Sequence, residues 1–296
     1  MTYAAPQTPP KSCALRHARQ LLKKVLGSSR KTCWAAVLLA LCLSPSAAAA
    51  GIVTTLPPLT GLVLLLDPQA DVQCLLPPGA DAHDFQLTPK QVQSLKQADM
   101  LVRSSYDDGH WSGISLAGRT LDLWPEQGHA WLWPAAVINI LPRLAEALQL
   151  LAPEREQAIT LALSKALSHA YAMNIRWYKA LEAYHERGVI MQHNAWQPVL
   201  AAYKVPVWAV LETQHHGDDI GPHRLEEALR LLNAHPNALL WGNQRHASRA
   251  LQWLQEHQSS PQKAQLLNFD PLGDCGSTWL QLMQANLDLL EKASRP

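Results

Sequence analysis

The chain has 296 residues, 48% of them apolar and 17% charged, with 25 Lys+Arg against 24 Asp+Glu. This composition excludes a disordered chain, which carries too little apolar surface and too much charge. The near-neutral balance excludes a nucleic-acid reader built on a basic face, and the length suits one to two domains with a sizeable core.

The charges are unevenly placed. Residues 1–50 hold Lys11, Arg16, Arg19, Lys23, Lys24, Arg30 and Lys31 and no acid, which leaves 18 basic and 24 acidic residues for 51–296. After Arg30-Lys31 comes the apolar run CWAAVLLALCL and then SPSAAAA. A basic segment, a short apolar run and small residues at its end form a secretory signal peptide. A membrane span needs about 20 apolar residues, more than this run supplies unless the Ala tail is included, in which case it would be an uncleaved anchor. Ala48 and Ala50 fit the small-x-small rule, so cleavage is expected near Ala50/Gly51, with 1–50 as the signal peptide. Export would remove Cys13, Cys33 and Cys42 and leave Cys74 and Cys275, whose pairing the sequence does not decide.

Residues 51–66 (GIVTTLPPLTGLVLLL) predict a short strand, a Pro-Pro turn and an apolar helix. A second strand at 72–76 ends in Pro77-Pro78-Gly79. Thr88-Pro89-Lys90-Gln91 is a helix start, with Thr88 as N-cap, Pro89 at the first helical position and Gln91 as the capping-box partner. That helix runs to about Gln97, and 99–103 is the next strand. Strand–helix–strand alternation on this scale indicates parallel βαβ units. A long helical tract follows, broken near Pro142 and resuming at Pro153. Between 153 and 184 there is no Gly and no further Pro. A helix of that length spans ~48 Å, which suits a spine joining two lobes.

Beyond Gly188 the rhythm resumes, with strands at 189–192, 205–211, 238–241 and 264–269 and helices at 195–203, 224–234, 247–257 and 278–293. The expected fold class is α/β: two lobes, each a small mostly parallel sheet flanked by helices, joined by one long rigid helix. The N-terminal lobe is expected at 51–150, the linking helix at 151–186 and the C-terminal lobe at 187–296.

The chain has no HExxH, P-loop, CxxC pair or GxSxG. What it has is a distribution of histidines. His83 follows a Pro-Pro-Gly turn in PPGADAHDF, His129 lies in GHAWLWP, and His193 follows the strand VIMQ in QHNAW. Asp270 follows LLNF in FDPLG. All four sit on strand-end or pre-helix loops, where open α/β sheets place their ligands. Singly, a loop His is an ordinary solvated residue and Asp270 before Pro an ordinary turn residue. Their shared placement, two per lobe, makes them an N3O set that suits tetrahedral zinc. His215-His216-Gly217-Asp218-Asp219, with His223 nearby, reads as a solvated loop or an auxiliary zinc-collecting site. Trp131, Trp133 and Trp196 flank the candidates and read as lobe packing or as an aromatic wall against water. Trp241, Trp253 and Trp279 read as core.

These motifs resemble a known family. PPGADAHDFQLTP is similar to the PPGADPHDF-x-x-x-P segment of zinc-binding proteins that serve bacterial ABC importers (ZnuA-like). EQGHAWLWP resembles their D-P-H-x-W-L-x-P segment, QHNAW their F-H-D-A-[WY] segment, and FDPLG their L-D-P-L-G segment. Order and spacing agree over nearly all of residues 51–296. The resemblance implies one metal in the cleft between two α/β lobes, with His83, His129 and His193 as ligands and Asp270 at the matching acidic position. It implies a periplasmic carrier, not an enzyme, that binds zinc, delivers it to an ABC permease and acts as a monomer. A four-residue cage would leave no open position for an activated water, which favours binding over hydrolysis. The alternatives are a manganese receptor of the same type, a periplasmic zinc buffer, and a zinc hydrolase with Asp270 as general base. Manganese-type relatives carry Glu at the third ligand, so His193 favours zinc. The chain departs from the family pattern at Ala82, Gln127-Gly128, Asn194 and Trp241-Gly242-Asn243, where many relatives have Glu-Pro.

Overall fold

The structure, a computed structural model, describes residues 51–108, 111, 118–212 and 220–293. The expected signal peptide at 1–50 and the His215-His216 cluster lie outside the described residues. Among the described residues, no helix is long and apolar enough to cross a membrane.

The first sheet consists of β1 (Ile52–Thr54), β2 (Val72–Cys74), β3 (Met100–Ser105) and β4 (Arg119–Trp124), all parallel, in the order β2-β1-β3-β4. The second consists of β5 (Val189–His193), β6 (Val207–Glu212), β7 (Leu239–Asn243) and β8 (Leu266–Phe269), again all parallel, in the order β6-β5-β7-β8. The two lobes therefore repeat one topology. In each, the first strand is central, the second lies on one side of it, and the third and fourth lie on the other. That reversal of winding makes a switch point at the carboxyl ends of the central strands, where open α/β sheets bind ligands. Central parallel strands are covered on both faces and read as apolar runs; β5 and β7 are buried along their whole length.

The helices follow from local signals. In α1 (Pro57–Leu66), Pro57 and Pro58 occupy the first turn, where a missing N–H costs nothing. In α2 (Pro89–Gln97), both halves of the Thr88/Gln91 capping box form. The next helix, α3 (Pro134–Leu151), runs through Pro142, so the expected break there does not occur. An interior proline costs about 3 kcal/mol. Burying Ile138, Leu141, Leu144 and Leu148 around it returns roughly 1.5–3 kcal/mol each.

After a 3-10 turn (Pro153–Arg155), α4 (Glu156–Glu182) forms the long connection between the lobes. Its 27 residues span ~40 Å. Ile159, Ala166, Ala170, Met173, Trp177 and Leu181 form its buried stripe at helical spacing. The second lobe adds α5 (Gln197–Ala202), α6 (Pro222–Ala234), α7 (Arg249–His257) and α8 (Trp279–Ala293). The α4 stripe packs on α1 and α3 from the first lobe and on α8 from the second.

One apolar core runs through both lobes. It extends from Ile52 and Leu59 through Trp131 and Trp177 to Met191, Trp196, Trp241 and Leu287. Trp131 and Trp196 are buried in this core, and each also borders the histidines, with the Trp131 ring 5.3 Å from that of His129. Polar ties cross the same boundary: Trp131 Nε1 donates to the Pro271 carbonyl at 2.7 Å, and Trp279 Nε1 to the Trp131 carbonyl at 2.6 Å. Arg176 on α4 grips both oxygens of Glu291 on α8. A disulfide joins Cys74, at the end of β2, to Cys275 in the loop after β8.

Gly61 shows how close α1 and α8 lie. A Cβ there would sit 2.6 Å from the Trp279 backbone nitrogen and 2.9 Å from the Ser277 carbonyl oxygen. Gly61→Ala gains about 1 kcal/mol of helix propensity. Against that stands a backbone clash of the overpacking kind, about 1–3 kcal/mol or more. The net expectation is a lowered midpoint of thermal unfolding; an unchanged or raised midpoint would show that α8 yields without cost.

Candidate metal centre

The three candidate histidines come from separate chain segments. His83 lies in the loop after β2, where its amide donates to Asp81 Oδ1 at 2.9 Å. His129 follows β4 and has a left-handed backbone, φ 51°, at the entry to a 3-10 turn (Ala130–Leu132). A non-glycine residue in that region stores local strain, which folds tolerate mainly at functional positions. His193 ends β5 and pairs in register with Glu212 on β6.

Folding brings these three together. Each offers one ring nitrogen such that the three atoms lie within 4.8 Å of one another. The ring centroids form a nearly equilateral triangle, with sides of 5.9, 5.6 and 5.7 Å. His193 is buried, while His83 and His129 are half-buried and face a cleft of about 570 Å³. Tyr106, Gly128, Asn194, Gln197 and Pro198 also border that cleft. Three ring nitrogens so placed could hold one divalent ion at the edge of the cleft.

Asp270 does not join the group. Both its oxygens accept hydrogen bonds from Arg245, Nε to Oδ1 at 2.7 Å and Nη2 to Oδ2 at 3.0 Å. The amides of Leu272 and Gly273 each donate to Oδ1 at 3.0 Å. Arg245 and these amides hold the Asp270 carboxyl below the usual carboxylate range, although burial works the other way. In the structure, then, the three histidines cluster and Asp270 stands beside them in a pair with Arg245.

A second acid, which the sequence reading did not single out, stands next to the histidines. Asp107 accepts from the His129 amide through both oxygens, at 3.0 and 3.1 Å, and from the Ser104 hydroxyl. Its Oδ1 is 3.4 Å from His129 Nδ1. Burial pushes the Asp107 carboxyl up, opposed by the Ser104 hydroxyl, the His129 amide and the nearby His83. Gly128 makes room for this arrangement, since a Cβ there would lie 3.1 Å from the Tyr106 ring and 3.2 Å from Asp107 Oδ1. Carboxylates behind metal-binding imidazoles fix ring orientation, and their loss typically costs 10–100-fold in affinity. Asp107→Asn keeps the shape and is expected to weaken zinc binding about 10–100-fold. Competition against a chromophoric chelator measures this; an unchanged affinity would reduce Asp107 to a loop anchor.

Next to His193, the buried side chains of Gln192, Glu212 and Ser248 form a hydrogen-bonded network that Ser248 extends to the exposed Asn268. Gly242 permits it: a Cβ there would fall 2.5 Å from Ser248 Oγ and 2.1 Å from Asn268 Oδ1. Asn243 carries the network forward, accepting from the Arg245 amide at 2.9 Å.

Residues 52–293 match the family described as zinc-uptake complex component A, periplasmic (ZnuA). No curated protein sequence matches the chain. Among solved structures, a crystal structure of ZnuA superimposes with a TM-score of 0.70 at 17% identity, covering 83% of this chain and 98% of that one. The laminin-binding protein Lmb of Streptococcus agalactiae, described as an adhesin with metal-transporting activity, gives a TM-score of 0.72 at 15% identity, covering 82% and 98%. The periplasmic zinc-binding protein TroA from Treponema pallidum gives 0.71 at 15% identity, covering 82% and 98%. At these identities the likeness is one of fold. The family match spans nearly all of the described residues, and the chain belongs to the ZnuA family of periplasmic zinc-uptake components.

Proposed function

We propose that this protein captures one zinc ion in the periplasm through His83, His129 and His193 and hands it to the membrane permease of an ABC importer. The observation that carries the reading is the triangle of three ring nitrogens within 4.8 Å. Neutral imidazoles suit zinc, whereas manganese favours carboxylate and carbonyl oxygen. Two of the histidines follow strands of the first sheet and the third ends a strand of the second. An ion held by all three couples its occupancy to the placement of the lobes, and so gives a permease something by which to tell loaded from empty. With Asp270 engaged by Arg245, a closed cage no longer argues against hydrolysis; the carrier role rests on the family.

Export is part of the same reading. Cleavage at Ala50/Gly51 would create a new terminus at Gly51, whose nitrogen lies 2.8 Å from Asp99 Oδ2. The new ammonium would therefore find a carboxylate in place.

Native mass spectrometry of the exported protein, titrated with zinc and manganese, tests the metal. One zinc per chain is expected to survive buffer exchange while manganese is lost. Zinc should also be released as pH falls through the range in which imidazole protonates, because ligation needs the neutral ring. Equal retention of manganese would overturn the specificity. Normal growth of a deletion strain under zinc limitation would overturn import and favour buffering.

A further inference from the structure

The loop that carries Asp270 reaches the histidines without the carboxylate doing so. Leu272 and Pro271 line the space beside His83 and His129, and Pro271 also borders the space beside His193. The Asp270 backbone is fixed: its amide donates to Asn286 Oδ1 at 2.8 Å, and Asn286 Nδ2 donates to its carbonyl at 2.8 Å. Asn286 itself is buried in α8. A carboxylate on a fixed backbone changes partner only by rotating its side chain. Arg245 holds that rotation with a two-pronged grip, the strongest form of this pair.

Arg245 is fixed in turn. Its amide is tied to Asn243 Oδ1, and Nη2 also donates to the Gly273 carbonyl and to Asp274 Oδ1 at 3.2 Å. It lines the same space as His83 and His129.

We propose that Arg245 sets the coordination of the ion. By occupying both oxygens of Asp270 it keeps the carboxylate away, so that three imidazoles bind and the fourth position takes a small exchangeable ligand, water or a monovalent anion. This rests on the three-histidine reading above. The cleft of about 570 Å³ beside the histidines gives that ligand its path. Drawing Asp270 onto the ion would leave the half-buried guanidinium with only the exposed Asp274 carboxylate as a charged partner, which opposes the exchange. Arg245 is thus a positioning residue: it touches no ion, yet it decides how many protein ligands the ion has and how readily the ion leaves.

Cobalt(II) in place of zinc reports coordination through its visible absorption. In the unmodified protein, azide is expected to shift the cobalt spectrum in a saturable way. In Arg245→Met, Asp270 is released to fill the fourth position, so the azide response should disappear and zinc affinity should rise at least tenfold. In Arg245→Met/Asp270→Asn the azide response should return. A cobalt form of the unmodified protein that ignores azide overturns the proposal, and that arm needs no variant to fold. An Arg245→Met protein that binds zinc more tightly yet still responds to azide also overturns it, because removing a nearby cation would then be the whole effect. If the protein binds neither zinc nor cobalt, or still binds them after His83→Ala, the three-histidine reading itself falls.

Discussion

Replacing His193 by alanine is expected to abolish the zinc-dependent rise in thermal stability. A ligand that binds only the folded state at 1,000 times its Kd stabilises by about 4 kcal/mol. For a chain of this size that is a shift of roughly 8–16 °C in the unfolding midpoint. His193 is the buried member of the triangle and ends the central strand β5, between β6 and β7. Its ring therefore has little freedom, and no other histidine on the second sheet joins the described cluster. Removing it leaves two imidazoles on first-lobe loops, and affinity should fall by more than the 10–100-fold typical of losing an outer carboxylate. The metal-free variant should unfold within a few degrees of the metal-free parent, since the side chain lost is polar and only one ring is removed. Differential scanning calorimetry with and without zinc reads both quantities. A zinc-induced shift that survives in His193→Ala would remove His193 from the centre.

Most of the fold is legible in the sequence because parallel strands and their helices have strong local signals. The Thr88/Gln91 capping box forms as the sequence implies, and the strands expected at 189–192 and 238–241 appear at Val189–His193 and Leu239–Asn243. Two elements are not legible. β4 reads RTLDLW, with its first half exposed at the sheet edge and Arg119 and Asp122 interrupting the apolar pattern. Its pairing depends on β3, which the window around it does not contain; Arg103 on β3 reaches across to Asp122. Pro142 suggests a break by local chemistry alone, whereas the buried face of α3 overrides it. Burial is a property of the assembled lobes.

The centre divides in the same way. His83 and His193 stand out because each follows an expected strand, and His129 because it precedes a helix; topology then gathers these loops to one side. Asp270 has the same kind of position, but its partner lies 25 residues upstream on another loop, and only the assembled structure reveals the pair. Asp107 is invisible for a further reason. Its role depends on the left-handed turn at His129 and on the missing Cβ of Gly128, neither of which is marked by charge or periodicity.

Loss of the Cys74–Cys275 bridge is expected to lower stability without changing the zinc centre. The two cysteines are 201 residues apart, so the bridge closes most of the described residues into one loop. The chain-entropy relation for such a loop gives about 5 kcal/mol, and measured values typically run to about 2–4. On the scale for chains of this length, the unfolding midpoint should fall by roughly 5–15 °C in Cys74→Ser/Cys275→Ser. The native lobes should stay in place, because the bridge is one of several ties across the same boundary. Trp131 to Pro271, Trp279 to Trp131 and Arg176 to Glu291 remain, along with the continuous apolar core. The effect is therefore on the unfolded chain, and zinc affinity should stay within about threefold of the parent, less than the loss from an outer carboxylate. Reduction of the unmodified protein should reproduce the same fall, and a midpoint that does not move would show that the bridge adds nothing to those ties. A zinc affinity that falls with the midpoint would mean instead that the bridge holds the loops of His83 and Asp270 in register. Because such bridges persist in oxidising compartments, a chain retained in the cytosol should show the lower midpoint of the double-serine variant.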